Sequence, residues 1–216
     1  MSDLLELLLS DGRFPGGGFA HSGGLEAAVV DGSVSSVASL RSFVEGRLVT
    51  VGLVDAWVAA AACRVALVDG PAAEPLRALE EEALAHQPAP ALRSAAAAQG
   101  RGLRATAAVL WPAVARCPAE HHPVVLGTVA AAAGLSPDAA ARAAVHAGVM
   151  GPCSAASKLW AIDTVDALAV VMALAPVAAD VVASALAATA CPVRSAPWLE
   201  LRTDAHTRAE VRLFAS

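Results

Sequence analysis

A chain of 216 residues that is 56% hydrophobic and only 16% charged departs from the roughly 45–50% apolar and 25% charged of an ordinary soluble domain. That balance excludes a disordered chain, and the length excludes a disulfide-held miniprotein. A net charge of −5, with arginines scattered singly from Arg13 to Arg212, excludes the basic face of a nucleic-acid binder.

Helical patterning runs through almost the whole chain. Asp3–Ser10 predicts a short first helix that ends at Asp11-Gly12. A glycine-rich loop over 14–24 follows, then a helix over Leu25–Val30 stopped by Asp31-Gly32. Ser35 and Ser36 are N-cap residues for a long helix reaching Val68, with Leu40, Phe43, Val44, Leu48, Val51, Val54 and Val58 on one stripe. Ala72–Ala85 is helical, with Glu80, Glu81 and Glu82 as a solvated patch. Ala91–Trp111 predicts a helix interrupted at Gly100 and Gly102, and His121-His122-Pro123 marks the loop before a helix over Val124–Ala133. Ser136-Pro137-Asp138 is a strong helix start, a capping serine followed by proline and an acid. That helix is expected to break at Gly151-Pro152, and two more over Ala155–Leu174 and Val177–Ala190 to meet near Pro176. Cys191–Trp198 reads as extended, and Thr203–Leu213 as a last short helix. No segment alternates with the period of a strand. The expectation is one all-α domain over 1–216, a bundle of eight to ten helices with a peripheral tail over 191–216.

The excess hydrophobicity is mostly alanine, a helix former. The most apolar stretch, Ala167–Ala190, contains Pro176 and Asp180. A central acid is costly in a bilayer, so two buried helices are expected rather than a span. Met1–Leu9 has no basic region and no cleavage site, which predicts a cytoplasmic protein. Cys63, Cys117, Cys153 and Cys191 are far apart in sequence, with no CxxC spacing. They predict isolated thiols in a reducing compartment.

The segment richest in information is Phe14–Glu26, with five glycines between Gly16 and Gly24. A phosphate loop would need a lysine, and a dinucleotide fingerprint would need glycine where His21 stands. A serine nucleophile at Ser22 in Ala20-His21-Ser22-Gly23-Gly24, with Asp163 or Asp166 and with His206, would have the right chain order for a hydrolase. That fold requires a parallel sheet, for which no strands are predicted. A metal site could join His21 to His121 and His122 or to His206. The fourth reading is a tight structural or docking loop anchored by Phe14 and Phe19, with Ser22 or Gly24 starting a helix and Glu26 near its positive end.

Pro15, Gly17, Gly18, Phe19, His21, Ser22, Gly24, Leu25 and Glu26 fall on a pattern close to Pro-x-Gly-Gly-Phe-x-His-Ser-x-Gly-Leu-Glu. This resembles the signature of the UreF family of urease accessory proteins. Weaker similarities are Leu7–Asp11, Gln99–Leu103, His122-Pro123 before Gly127, and the tail from Ala196 through His206 to Phe214-Ala215-Ser216. Lys158–Asp163 stands where the family often has an Arg-Leu-x-Pro-Leu-Gly-Gln-like run, and Lys158 keeps the charge without the planar fork of arginine. The resemblance implies an all-α, cytoplasmic, non-enzymatic homodimer. Such a protein joins a second scaffold (UreD, also called UreH) and the GTPase UreG, modulates that GTPase, and takes part in nickel delivery to urease apoprotein. It implies no tightly bound cofactor, the nickel being carried by the complex and not necessarily by this chain. Phe19, His21, Ser22, Glu26, Lys158, His206 and Phe214 are the partner contacts expected on this basis.

Overall fold

In a computed structural model the chain is all-α. The structure describes residues 2–11, 14, 21–160, 162–206 and 213–214, and holds no strand among them. The helices are α1 (Ser2–Ser10), α2 (Leu25–Val30), α3 (Val37–Arg47), α4 (Leu53–Asp69), α5 (Pro75–Ala85), α6 (Pro90–Leu110), α7 (His122–Ala132), α8 (Pro137–Leu159), α9 (Thr164–Ala187) and α10 (Pro197–His206).

Helices α3 and α4 form one rod, joined by a single π-helical turn over Leu48–Gly52. Ser36 starts the rod with a reciprocal cap: its hydroxyl accepts from Ser39 N–H, and Ser39 Oγ accepts from Ser36 N–H. Helix α4 is central, packing on α7, α8 and α9. Its Val58, Ala59, Ala62 and Cys63 join one core with α7, and its Ala56 and Ala60 join a second with α8 and α9. Trp57 packs against both cores. Alanine at these positions lets helix axes approach closely, which is the structural use of the unusual composition.

Three expected breaks are not where the sequence placed them. Helix α6 runs unbroken through Gly100 and Gly102. Gly100 is instead a contact point, because a β-carbon there would lie 1.7 Å from the carbonyl oxygen of Glu120. Helix α8 runs unbroken through Pro152. Proline lacks the N–H that would reach the carbonyl four residues back, and Arg47 Nη1 donates to that carbonyl, of Gly148, at 3.3 Å. Helix α9 runs unbroken through Pro176. Its corresponding carbonyl belongs to Met172, on the exposed side of the helix, where the residue is 76% exposed. The real break lies between Trp160 and Asp163, where the Asp163 carboxylate caps α9 by accepting from Val165 N–H at 2.8 Å.

The rod Val37–Asp69 and helix α9 are each long and apolar enough to cross a membrane by length and composition. The two differ in burial: half of the apolar window in the rod is buried, against 22% in α9.

Candidate functional site

The end of the glycine-rich segment builds a seat for the chain's C-terminal region. Gly24, with φ of +86°, turns the chain into α2 and leaves room for Leu199 of α10 above it. Ser22 is fully buried, and its Oγ accepts from Glu26 N–H at 3.2 Å, satisfying a free donor of the first helical turn. Glu26, 4% exposed, spends its carboxylate on the tail: Oε1 accepts from Leu213 N–H at 2.7 Å and Oε2 from Phe214 N–H at 2.9 Å. Phe214 is buried in the second core, and the Lys158 ammonium lies 5.6 Å from its ring centroid.

Helix α10 is held beside this seat. Glu200 Oε2 accepts from Ala89 N–H at 2.6 Å, at the start of α6. Arg202 pairs with Asp31, at the end of α2, at 2.7 Å. Trp198 and Leu201 stay exposed on the outer side. Ser22, Glu26, Lys158 and Phe214 are thus brought together, as an internal contact network around the tail. Phe19 lies outside the described residues, as does the side chain of His206, which closes α10.

A cavity of about 260 Å³ lies next to the seat, lined among others by His21, Arg47, His121, His122, Lys158 and Phe214. His121 is the residue before α7 and His122 its first. The loop carrying them is pinned by α5 and α6. Glu80 Oε1 accepts from Glu120 N–H at 2.7 Å and from His121 N–H at 2.6 Å, while Arg104 Nη1 donates to the carbonyls of Cys117 and Ala119 at 3.0 Å. Glu80 is therefore turned inward, contrary to the expected solvated patch.

Burial keeps the cavity imidazoles uncharged. It holds His121 and His122 down at about 4, with repulsion from neighbouring histidines adding to it, and it also lowers His21. His122 has accessible surface, but that surface faces the cavity. Burial raises Asp55 to about 6 against the pull of Arg47, and it lowers Arg47. Two polar atoms here, Arg47 Nε and His121 Nδ1, are buried without a hydrogen-bond partner.

The alternative metal reading that joins His21 to His121 and His122 is not assembled, and its variant with His206 involves a side chain outside the described residues. Among the described residues, one set of three potential ligands gathers its donor atoms within 4.8 Å, and it lies elsewhere: Glu82, His86 and Cys191. The Glu-x-x-x-His spacing at the C-terminal end of α5 was the available sequence signal for two of them; the arrival of Cys191 is a property of the fold. All four cysteines are free thiols, three buried and Cys191 half-buried. The hydrolase reading also fails on geometry. Ser22 is buried behind its bond to Glu26, Asp163 serves as a helix cap, and the described residues contain no sheet.

Comparison with known proteins agrees with the resemblance seen in the sequence. The UreF family model matches residues 34–175. A urease accessory protein UreF of Mycobacterium sp. (strain JLS) is 40% identical over 222 residues, covering all of both chains. The corresponding protein of Mycobacterium marinum is 35% identical over 213 residues, 97% of each chain. That of Mycobacterium tuberculosis (strain H37Rv) is 35% identical over 220 residues, again covering both in full. A family match over most of the chain, joined by end-to-end similarity to these relatives, shows that the chain belongs to the UreF family of urease accessory proteins.

Proposed function

We propose that the chain is a non-enzymatic cytoplasmic scaffold that joins the accessory protein UreD (UreH) and the GTPase UreG, modulates that GTPase, and so supports nickel delivery to urease apoprotein. It acts as a homodimer and needs no tightly bound cofactor of its own. The observation that carries this reading is the outward face of α9. Val165 is 70% exposed, Leu168 48% and Met172 76%, in a helix of 24 residues. With the exposed Ala175, Ala179 and Ala183 they form a continuous apolar stripe. A contiguous patch of this kind marks an interaction surface, and its small residues suit close packing against a second copy. The partner contacts are proposed for the tail seat, at the exposed Lys158, the Phe214 that it covers and His21, together with Phe19 and His206 of the flanking sequence. Ser22 and Glu26 contribute by holding that seat.

Co-purification of the folded protein with UreD and with UreG tests the scaffold role, and binding to neither overturns it. Light scattering coupled to gel filtration tests the dimer. Leu168→Glu with Met172→Glu is expected to halve the mass while helical circular dichroism is unchanged. A monomeric parent protein, or an unchanged mass in the variant, rejects the assignment of α9.

A further inference from the structure

We propose that Glu82, His86 and Cys191 form a binding site for a divalent late first-row transition cation, such as zinc, cobalt or nickel. The three donor atoms lie within 4.8 Å of one another. They come from two parts of the chain: α5 supplies Glu82 and its C-cap residue is His86, and the segment after α9 supplies Cys191. The site does not depend on the scaffold role proposed above.

The geometry is close to that required. Metal–nitrogen and metal–oxygen bonds near 2.0–2.2 Å in a tetrahedral site put neighbouring ligand atoms about 3.3–3.6 Å apart. His86 Nε2 and Glu82 Oε1 are already 3.3 Å apart. Closing the thiol onto this pair is a movement of about an ångström, within the reach of a χ1 adjustment.

The surroundings hold the ligands in place. Residues four apart share a helix face, so the carboxylate and the imidazole point the same way. Trp57 Nε1 donates to the carbonyl of Ala188 at 3.1 Å, which fixes the chain three residues before Cys191. Cys191 itself packs against the first core. The carboxylate is the most exposed of the three, so the site opens to solvent on one side. That leaves a fourth position for water, as in three-ligand zinc sites.

The donor set selects the cation. Thiolate and imidazole favour zinc, nickel, cobalt and copper over magnesium and calcium, which prefer oxygen ligands. Binding forms the metal–sulfur bond as the thiol proton leaves to solvent. One thiolate and one carboxylate then neutralise the divalent charge. The bound ion ties α5 to the segment between α9 and α10.

Cobalt(II) chloride added to the metal-free full-length protein provides the test. Binding at one equivalent with a near-ultraviolet thiolate-to-cobalt charge-transfer band is the expected result. In Cys191→Ser the band is lost, and in His86→Ala and Glu82→Gln the affinity falls at least tenfold. Zinc competes cobalt off and raises the melting temperature of the parent chain but not of Cys191→Ser. No charge-transfer band in the parent, or a band that persists in Cys191→Ser, overturns the proposal. Glu82 is a surface residue, so Glu82→Gln keeps the test meaningful if the cysteine variant folds poorly. An unchanged cobalt affinity in Glu82→Gln likewise counts against the site. Failure to bind cobalt leaves the co-purification result untouched, so the two readings fail separately.

Discussion

Replacing Glu26 by glutamine is expected to release the chain's C-terminal region from its seat. The carboxylate accepts two backbone N–H groups, from Leu213 at 2.7 Å and from Phe214 at 2.9 Å. An amide offers one acceptor oxygen, and its NH₂ would face the other donor. One charge-assisted bond, worth about 1.5–3 kcal/mol, is lost outright, and the remaining one falls to the neutral value of about 0.5–1.5 kcal/mol. The summed loss is about 2.5–4.5 kcal/mol, or roughly two to three orders of magnitude in the ratio of docked to undocked tail. Burial of Phe214 is untouched by the change, so the loss falls on the polar anchor alone. Hydrogen exchange reads this at the two amides. Protection at Leu213 and Phe214 is expected to fall about a hundredfold or more, while amides in α4 and α7 keep theirs. Equal protection at residues 213–214 in the parent and in Glu26→Gln would refute the role given to this carboxylate.

Other consequences are equally specific. Arg47→Met should destabilise the fold by about 1–3 kcal/mol by orphaning the Gly148 carbonyl, and the penalty should shrink in a Pro152→Ala background, where a restored N–H takes that carbonyl; additive urea-unfolding energies would reject the coupling. His121 and His122, held near 4 in the fold, contribute stability that is present above their ordinary 6.5 and lost as pH falls through about 4. Asp55, raised from 3.8 to about 6, has the opposite sign: its contribution is full below 3.8 and lost as pH rises through about 6. Melting temperature should therefore decline from pH 6.5 towards 4, two histidines outweighing one acid, and Asp55→Asn should raise it at pH 7.5 but not near pH 4. Gly100→Ala forces its β-carbon onto the Glu120 carbonyl and should cost several kcal/mol or abolish folding, whereas Gly151→Ala, with nothing within 4 Å, should be neutral or stabilising by about 0.5–1 kcal/mol in thermal unfolding.

Helix starts were legible because capping is local chemistry. Ser36 and Ser136 cap α3 and α8 as their sequences predicted, and the extent of α2 was read correctly to the residue. Helix interiors were less legible because their continuity is decided by tertiary partners. Pro152 suggested a break, and only the arrival of Arg47, 101 residues away at Gly148, explains why none occurs. The π turn after Arg47 has no local signature. Much the same division holds at the site. The segment from Ser22 to Glu26 announced itself by its glycines and its motif, yet its use as a clamp on Phe214 spans 188 positions and could not be read from spacing. The family match over 34–175 begins downstream of that segment, so helix body and loop signature carry separate evidence for the same membership.

Burial changes how substitutions at the seat must be interpreted. Ser22, Glu26 and Phe214 are each less than a tenth exposed, and they contact one another or the chain that holds them. A change at any of them displaces the others, so their effects on partner binding will not add and cannot by themselves locate a contact surface. Lys158 is exposed and lies over the Phe214 ring. Trp198 and Leu201 are 73% and 64% exposed on the far side of α10. Substitutions at these outer positions leave the core packing in place and usually shift stability by less than about 0.5 kcal/mol. A loss of partner binding there, with melting unchanged, reports a direct contact. The same loss at Glu26 reports a displaced tail. The tail is thus both a structural element and a candidate docking element, and the distinction between the two is carried by which face of α10 a residue occupies.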